Sequence, residues 1–194
     1  MMTAAQRLTA DFKRELIAVI PQLRAFARGL CGRSDLADDL VQETLLKAWS
    51  ARDRFEPGTN IRAWTFVILR NVYLSGLRRS RFHGDYDEAA AERILSAPAE
   101  QEAPLHLADL HRALMTLAPE RREALLLIGA GGFSYEEAAA IAGCAVGTIK
   151  SRVGRARAQL ATMIENGALE RRSKHDPVAN VAIMEELQKA TRRR

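Results

Sequence analysis

Apolar residues recur along this chain at three- and four-residue spacing, the period of helices that bury one face. From Leu8 to Leu30 the stripe predicts one long amphipathic helix, bent, if anywhere, at Pro21. Ser34 is a suitable N-cap with Asp35 in the first turn, and Leu36, Leu40, Leu45, Leu46 and Trp49 follow on the apolar side of a second helix. The Pro-Gly pair in Phe55-Glu-Pro-Gly-Thr-Asn60 predicts a turn. A third helix is expected from about Ile61 through Leu77, carrying Trp64, Phe66, Val67, Ile68, Leu69, Val72 and Leu74. Alternation of the kind that marks strands is missing from the sequence, and so are hairpin turns. Between Arg81 and Pro104 the stripe fades into alanine and acid, which predicts a linker with one short helix near Glu88 to Leu95. Helical period returns at Leu105 to Leu117, at Pro119 to Gly129 and at about Ser134 to Ile164. After Asn166 the chain is polar and basic, with room for a short helix from Val178 to Ala190 that carries Val181, Met184 and Leu187 on one side. The expectation is an all-α fold of two small helical domains, residues 8–80 and 105–165, joined by a flexible acidic linker over 81–104 and followed by a basic tail, 166–194.

The most telling stretch is Tyr135 to Arg157. It reads as a helix, a tight turn at Gly143 and a second, strongly basic helix. Gly143 can take the left-handed conformation such a turn needs. Ala139, four residues earlier, is small enough to let two helices cross closely. On the second helix Val146, Ile149, Val153, Ala156 and Leu160 share one face, while Thr148, Ser151, Arg152 and Arg155 fall on the other. Between Cys144 and Arg157 stand Lys150, Arg152, Arg155 and Arg157 and no acid. A helix with one apolar stripe and one basic, hydroxyl-bearing stripe can pack on its own domain and enter a DNA major groove. That is the helix-turn-helix design.

Charge sharpens the picture. The 194 residues carry a formal charge of +5, a balance that favours an anionic partner. The charge is segregated: Arg62 to Arg81 holds five arginines and no acid, whereas Arg81 to Asp109 holds seven acids against two arginines. Two basic patches separated by an acidic stretch suggest two contacts on one polyanion. Two cysteines, Cys31 and Cys144, fit a reducing cytoplasm rather than a disulfide framework. No segment approaches the ~20 apolar residues of a membrane span, and none has signal-peptide character. The histidines make no metal-ligand pattern with the cysteines. With no phosphate-cradling glycine motif and no Ser/His/Asp set in context, neither a cofactor, a metal nor an enzyme is expected.

The first domain has its own chemistry. Asp35, Asp38, Asp39 and Glu43 lie along one helix, as a solvated face or as a docking face. The next helix sets Trp64 and Asn71 among Arg62, Arg70, Arg78 and Arg79. Aromatic and amide groups among arginines can hold unpaired bases while the arginines hold phosphates. A Trp in an apolar helix equally serves as core, and both readings stand here.

These residues resemble a known family. Asp35-Leu-Ala-Asp-Asp-Leu-Val-Gln-Glu-Thr-Leu-Leu-Lys-Ala-Trp49, Phe55, Pro57-Gly-Thr-Asn-Ile-Arg-Ala-Trp64 and Ile68-Leu-Arg-Asn71 are similar to region 2 of bacterial extracytoplasmic-function (ECF) sigma factors. Leu117-Ala-Pro-Glu-Arg-Arg-Glu-Ala-Leu125 and Gly147-Thr-Ile-Lys-Ser-Arg152 are similar to their region 4. The Pro57-Gly-Thr-Asn stretch and the Asn71–Arg79 segment further resemble the alphaproteobacterial general-stress-response (EcfG-like) subgroup. The resemblance implies a cytoplasmic transcription-initiation factor without catalysis of its own. Asp38, Asp39, Gln42 and Glu43 would dock on the clamp helices of the largest subunit of core RNA polymerase. Asn60, Arg62, Trp64 and Asn71 would capture an extruded base of the promoter −10 element, with Arg78 and Arg79 on phosphates. Thr148, Lys150, Ser151, Arg152 and Arg155 would engage the −35 element, and the second domain would meet the flap of the second-largest subunit. An anti-sigma factor would be the regulatory partner. Two features depart from the family pattern: Gly154 inside the recognition helix, and the length of the tail. The rival reading is a stand-alone helix-turn-helix regulator, which would bind duplex DNA without polymerase, usually as a dimer.

Overall fold

The computed structural model describes residues 4–82 and 105–165, so the short helix expected near Glu88 and the one expected after Val178 lie outside the described residues. Within them the fold is all helical. In order come α1 (Ala4–Cys31), α2 (Ser34–Ser50), a 3-10 turn (Arg52–Arg54), α3 (Ile61–Phe82), α4 (Leu105–Thr116), α5 (Pro119–Gly129), α6 (Tyr135–Ala142) and α7 (Val146–Glu165).

The first three helices form one bundle. In α1 the stripe Phe12, Leu16, Val19, Leu23, Phe26, Ala27 and Leu30 is buried as its spacing predicts. In α2 the buried face is Ala37, Leu40, Val41, Thr44 and Ala48. This corrects two expectations. Leu36 and Leu46 are exposed, at 44% and 69%, and Trp49 is 39% exposed. At about 100° per residue, Leu46 falls nearly opposite the buried face; the count of leucines misled because small residues and Thr44 fill the contact with α1 and α3. Thr44 satisfies its hydroxyl on the Leu40 carbonyl at 2.7 Å, so a polar residue sits in the core without loss. The cap differs too. Arg33 occupies the N-cap position without a side-chain bond, and Ser34 is already helical. Arg33 instead pairs with Asp35.

The turn before α3 is built by Gly58, at φ +85°, with the Thr59 amide and hydroxyl both donating to the Glu56 carbonyl. Asn60 then starts α3, its Oδ1 accepting from the Ala63 amide at 3.1 Å. Phe12, Phe55 and Trp64 close that end of the bundle as an aromatic cluster with centroids 5.3–6.1 Å apart.

The second half starts its helices by clear local rules. Pro119 opens α5 at its first turn. Ser134 and Glu137 form a reciprocal capping box on α6. Gly143, at φ +63°, ends α6 in the left-handed conformation, and the Cys144 amide reaches back to the Ala139 carbonyl. In α7 Ile149, Val153 and Ala156 are buried. They anchor the helix on its own domain as the spacing predicts.

The two halves share a core. One continuous cluster runs from Leu23, Phe26 and Phe66 through Leu127 and Phe133 to Ile149 and Val153. Gly29 lets α1 and α5 approach: a β-carbon there would stand 2.7 Å from the Leu126 side chain. Polar bonds rim the junction. Arg122 donates to the carbonyls of Leu30, Met115 and Leu117, a ring nitrogen of His111 lies 3.2 Å from the Gly32 carbonyl, and Arg70 pairs with the buried Glu123 at 2.6 Å.

Candidate nucleic-acid interface

On the outer side of α3, away from the second half, a cavity of about 620 Å³ opens between α2 and α3. Asn71, Ser75, Arg78 and Arg79 line one wall, and Glu43, Lys47 and Ala51 the other. Its volume lies in the range of small-molecule sites. The α3 residues come together because 71, 75 and 78 repeat at helical spacing. Arg78 donates to Ser75 Oγ at 3.2 Å, which holds the guanidinium over the rim. Asn71, Arg78 and Arg79 are exposed. Ile68 and Val72 also line the cavity and give it an apolar floor.

The other three residues expected at this site stand elsewhere. Asn60 donates to Glu137 Oε1 at 3.0 Å, across the junction. Arg62 donates to the Gly131 carbonyl at 2.9 Å and lies over the Phe133 ring, 4.2 Å from its centroid. Trp64 is half-buried in the cluster with Phe12 and Phe55. The structure therefore brings Asn71, Arg78 and Arg79 into one site and does not join Asn60, Arg62 or Trp64 to it.

Along α7, Thr148, Lys150, Ser151, Arg155 and Arg157 are exposed, with Ser151 and Arg155 opposite Ile149 and Val153. Arg152 is half-buried, with a guanidinium nitrogen 3.8 Å from the Cys144 sulfur. Lys150 lies 5.7 Å above the Tyr135 ring, which steadies it at the mouth of the turn. Gly154 faces open space: a β-carbon there would meet nothing within 4 Å. Its place in the helix is thus unrelated to close packing among the described residues.

On α2, Asp39, Gln42 and Glu43 share one outward arc with Leu46. Asp38 sits apart from them, turned toward α1, with its carboxylate 3.6 Å from Arg24 Nε, near enough for charge attraction though too long for a hydrogen bond. Leu46, an exposed leucine among polar groups, is a candidate contact that the sequence reading placed inside. The arc of its polar neighbours was the signal that could have found it.

The junction between the halves holds three buried or half-buried titratable groups that are shifted, while at the exposed start of α2 the Arg33–Asp35 pair raises Arg33 and lowers Asp35. Burial pushes the Cys31 thiol up to about 11, partly offset by the nearby Arg122 charge. Burial also raises Tyr73 and lowers Arg122. Among the described residues no group of three or more His, Cys, Asp or Glu could hold a metal ion, and no helix is long and apolar enough to cross a membrane.

Comparison with known proteins shows the family of the chain. Residues 17–83 match Sigma-70 region 2, and residues 107–160 match Sigma-70 region 4. The chain is 48% identical over 157 residues to the ECF RNA polymerase sigma factor EcfG of Rhodopseudomonas palustris, covering 81% of this chain and 87% of that protein. It is 38% identical over 122 residues to the ECF sigma factor SigC of Mycobacterium tuberculosis, covering 62% of this chain and 66% of that one. Among solved structures, the sigma factor RpoE of Bartonella quintana, crystallised in complex with the anti-sigma factor NepR, superposes with a TM-score of 0.68 at 48% identity, over 83% of this chain and 99% of that one. With both halves matched in order, the chain belongs to the sigma-70 family as an ECF RNA polymerase sigma factor.

Proposed function

We propose that this sigma factor serves the general stress response of a bacterium, works in its cytoplasm, and has no catalytic activity of its own. Residues 8–80 bind polymerase and the −10 element, 81–104 link, 105–165 read the −35 element, and 166–194 form a basic tail. Asp39, Gln42, Glu43 and Leu46 dock on the clamp helices of the largest polymerase subunit, with Asp38 supporting them from the α1 side. Asn71 takes up an extruded base, and Arg78 and Arg79 hold the flanking phosphates. Extrusion costs a few kcal/mol, so a preformed pocket is what the task requires. Asn60, Arg62 and Trp64 complete the −10 site from the start of α3. On α7, Arg155, Ser151 and Thr148 reach base edges, Lys150 and Arg152 hold phosphates, and the domain rests on the polymerase flap.

The observation that carries this reading is the cavity in which Asn71, Arg78 and Arg79 converge on an open, apolar-floored pocket. An anti-sigma factor as regulator is supported by the Bartonella relative, which is seen bound to one. The test is reconstitution with core polymerase and mapping of transcript 5′ ends. Discrete start sites that core polymerase alone does not use are expected. Specific nanomolar binding of duplex promoters by the chain alone, with no redirected start sites, would overturn the reading in favour of a stand-alone regulator.

A further inference from the structure

Gly154 stands inside α7, where glycine is less stable than alanine because its backbone has more freedom to lose. A left-handed backbone, a crowding neighbour or a ligand lying close to the chain are the usual reasons for keeping one. The first fails here, since the positive-φ glycines among the described residues are Gly32, Gly58, Gly132 and Gly143. The second fails too: a β-carbon at 154 would meet nothing within 4 Å, whereas one at Gly29 would stand 2.7 Å from the Leu126 side chain. Nor does the glycine break the helix, which runs on from Val146 to Glu165. Among the described residues no intramolecular reason is left, and the third remains.

The position says which ligand. At about 100° per residue, Gly154 lies about 60° round α7 from Ser151 and about 40° from Lys150. In the function proposed above Ser151 reaches base edges and Lys150 holds a phosphate. Gly154 is exposed between these two edges, and its neighbour Arg155 is exposed as well. A recognition helix that passes from bases to phosphates meets the wall of the major groove, which is one sugar–phosphate strand. We infer that a strand of the −35 element lies directly against the α7 backbone at Gly154, and that the missing side chain sets how deep Ser151 and Arg155 enter the groove. The inference rests on the assignment of α7 to the −35 element. Any β-carbon at 154 then lifts the helix outward. The long stem of Lys150 can follow such a shift and keep its phosphate, but the short hydroxyl of Ser151 cannot keep its base. Gly154 is thus a specificity-determining position that makes no bond of its own.

The test uses holoenzyme carrying Gly154→Ala or Gly154→Leu, and two duplex promoters that differ only in the −35 element. One keeps the element found by transcript mapping and the other has it scrambled. Alanine should raise the urea midpoint of the free chain, so weaker DNA binding by that variant is no folding defect. It should nonetheless lower affinity for the intact promoter about tenfold, the worth of one base contact, with little change on the scrambled one. Leucine should lower it further, and affinity for core polymerase should stay as it is. Neither exchange removes a charge, so the slope of log affinity against log salt should match wild type, whereas Lys150→Ala should flatten it by about 0.9. Equal loss on both promoters, or no loss with either variant, rules the inference out. Arg155→Ala then locates the fault. If it weakens binding to the intact promoter, the −35 assignment stands and the account of Gly154 alone is wrong; if it binds as wild type does, the assignment has failed.

Discussion

Arg70 and Asn71 are neighbours in sequence that serve opposite sides of α3. Arg70 is tied to Glu123, whereas Asn71 stands exposed on the cavity. Asn71 can bond only a base already out of the stack. We therefore expect Asn71→Ala to slow opening of duplex promoters about five- to tenfold, the loss of one hydrogen bond worth ~1 kcal/mol. It should matter far less on templates with a pre-opened bubble, and equal loss on both in an abortive-initiation assay would assign Asn71 to folding or polymerase binding instead. Cys31 gives a pH test. Its thiol is held near 11 by burial, against 9.0 ordinarily. The fold disfavours the thiolate, so stability falls as pH rises from the ordinary value toward the raised one, and the native thiol stays protonated through that window. Alkylation of Cys31, followed by mass spectrometry, should show its midpoint about two units higher in native than in denatured chain. Single residues were unevenly legible. Ile149 and Val153 were visible because their partners lie on a helix a few residues away. The roles of Asn60 and Arg62 at the junction were not, because their partners lie 77 and 69 residues along the chain.

At the scale of elements, helix type and order were readable throughout the described residues, since each helix carries its own period and punctuation. Pro119, Ser134 and Gly143 mark their boundaries by chemistry that is local. The errors arose where tertiary contact decides. Leu36 and Leu46 of α2 lie outside because Ala37, Thr44 and Ala48 fit the tight space against α1 and α3 better than leucine would. Two glycines, one just before the recognition helix and one inside it, should respond to one substitution with opposite signs. Gly143→Ala forces a β-carbon into left-handed backbone at φ +63° and should destabilise the protein by about 1–2 kcal/mol. Gly154→Ala adds a methyl in open space on α7 and should stabilise it by ~1 kcal/mol. Urea midpoints measured at constant slope decide both.

At the scale of the whole molecule, the sequence suggested two domains and gave no hint that they close over one core. Nothing in a helical period tells which exposed-looking aromatic will find a partner from another domain. Phe66 and Phe133 are the case in point, with ring centroids 4.9 Å apart across the junction. A shared core makes the halves unfold together. Both tryptophans lie in the first half, so their fluorescence and the helical dichroism of the whole chain should give coincident urea transitions. Leu127→Ala, a cavity made in the second half, should shift the tryptophan-detected midpoint by the equivalent of about 2–5 kcal/mol. Dichroism that persists after the tryptophan signal is lost would show that the halves are independent. Phe66 is clasped between Phe26, 4.8 Å away, and Phe133. Parting the halves strips Phe133 from one face of that ring and wets it. Newly wetted apolar surface carries a positive heat capacity, and apolar attraction weakens on cooling. The aromatic clasp thus gives the junction a temperature dependence of its own: cooling weakens the hold of one half on the other.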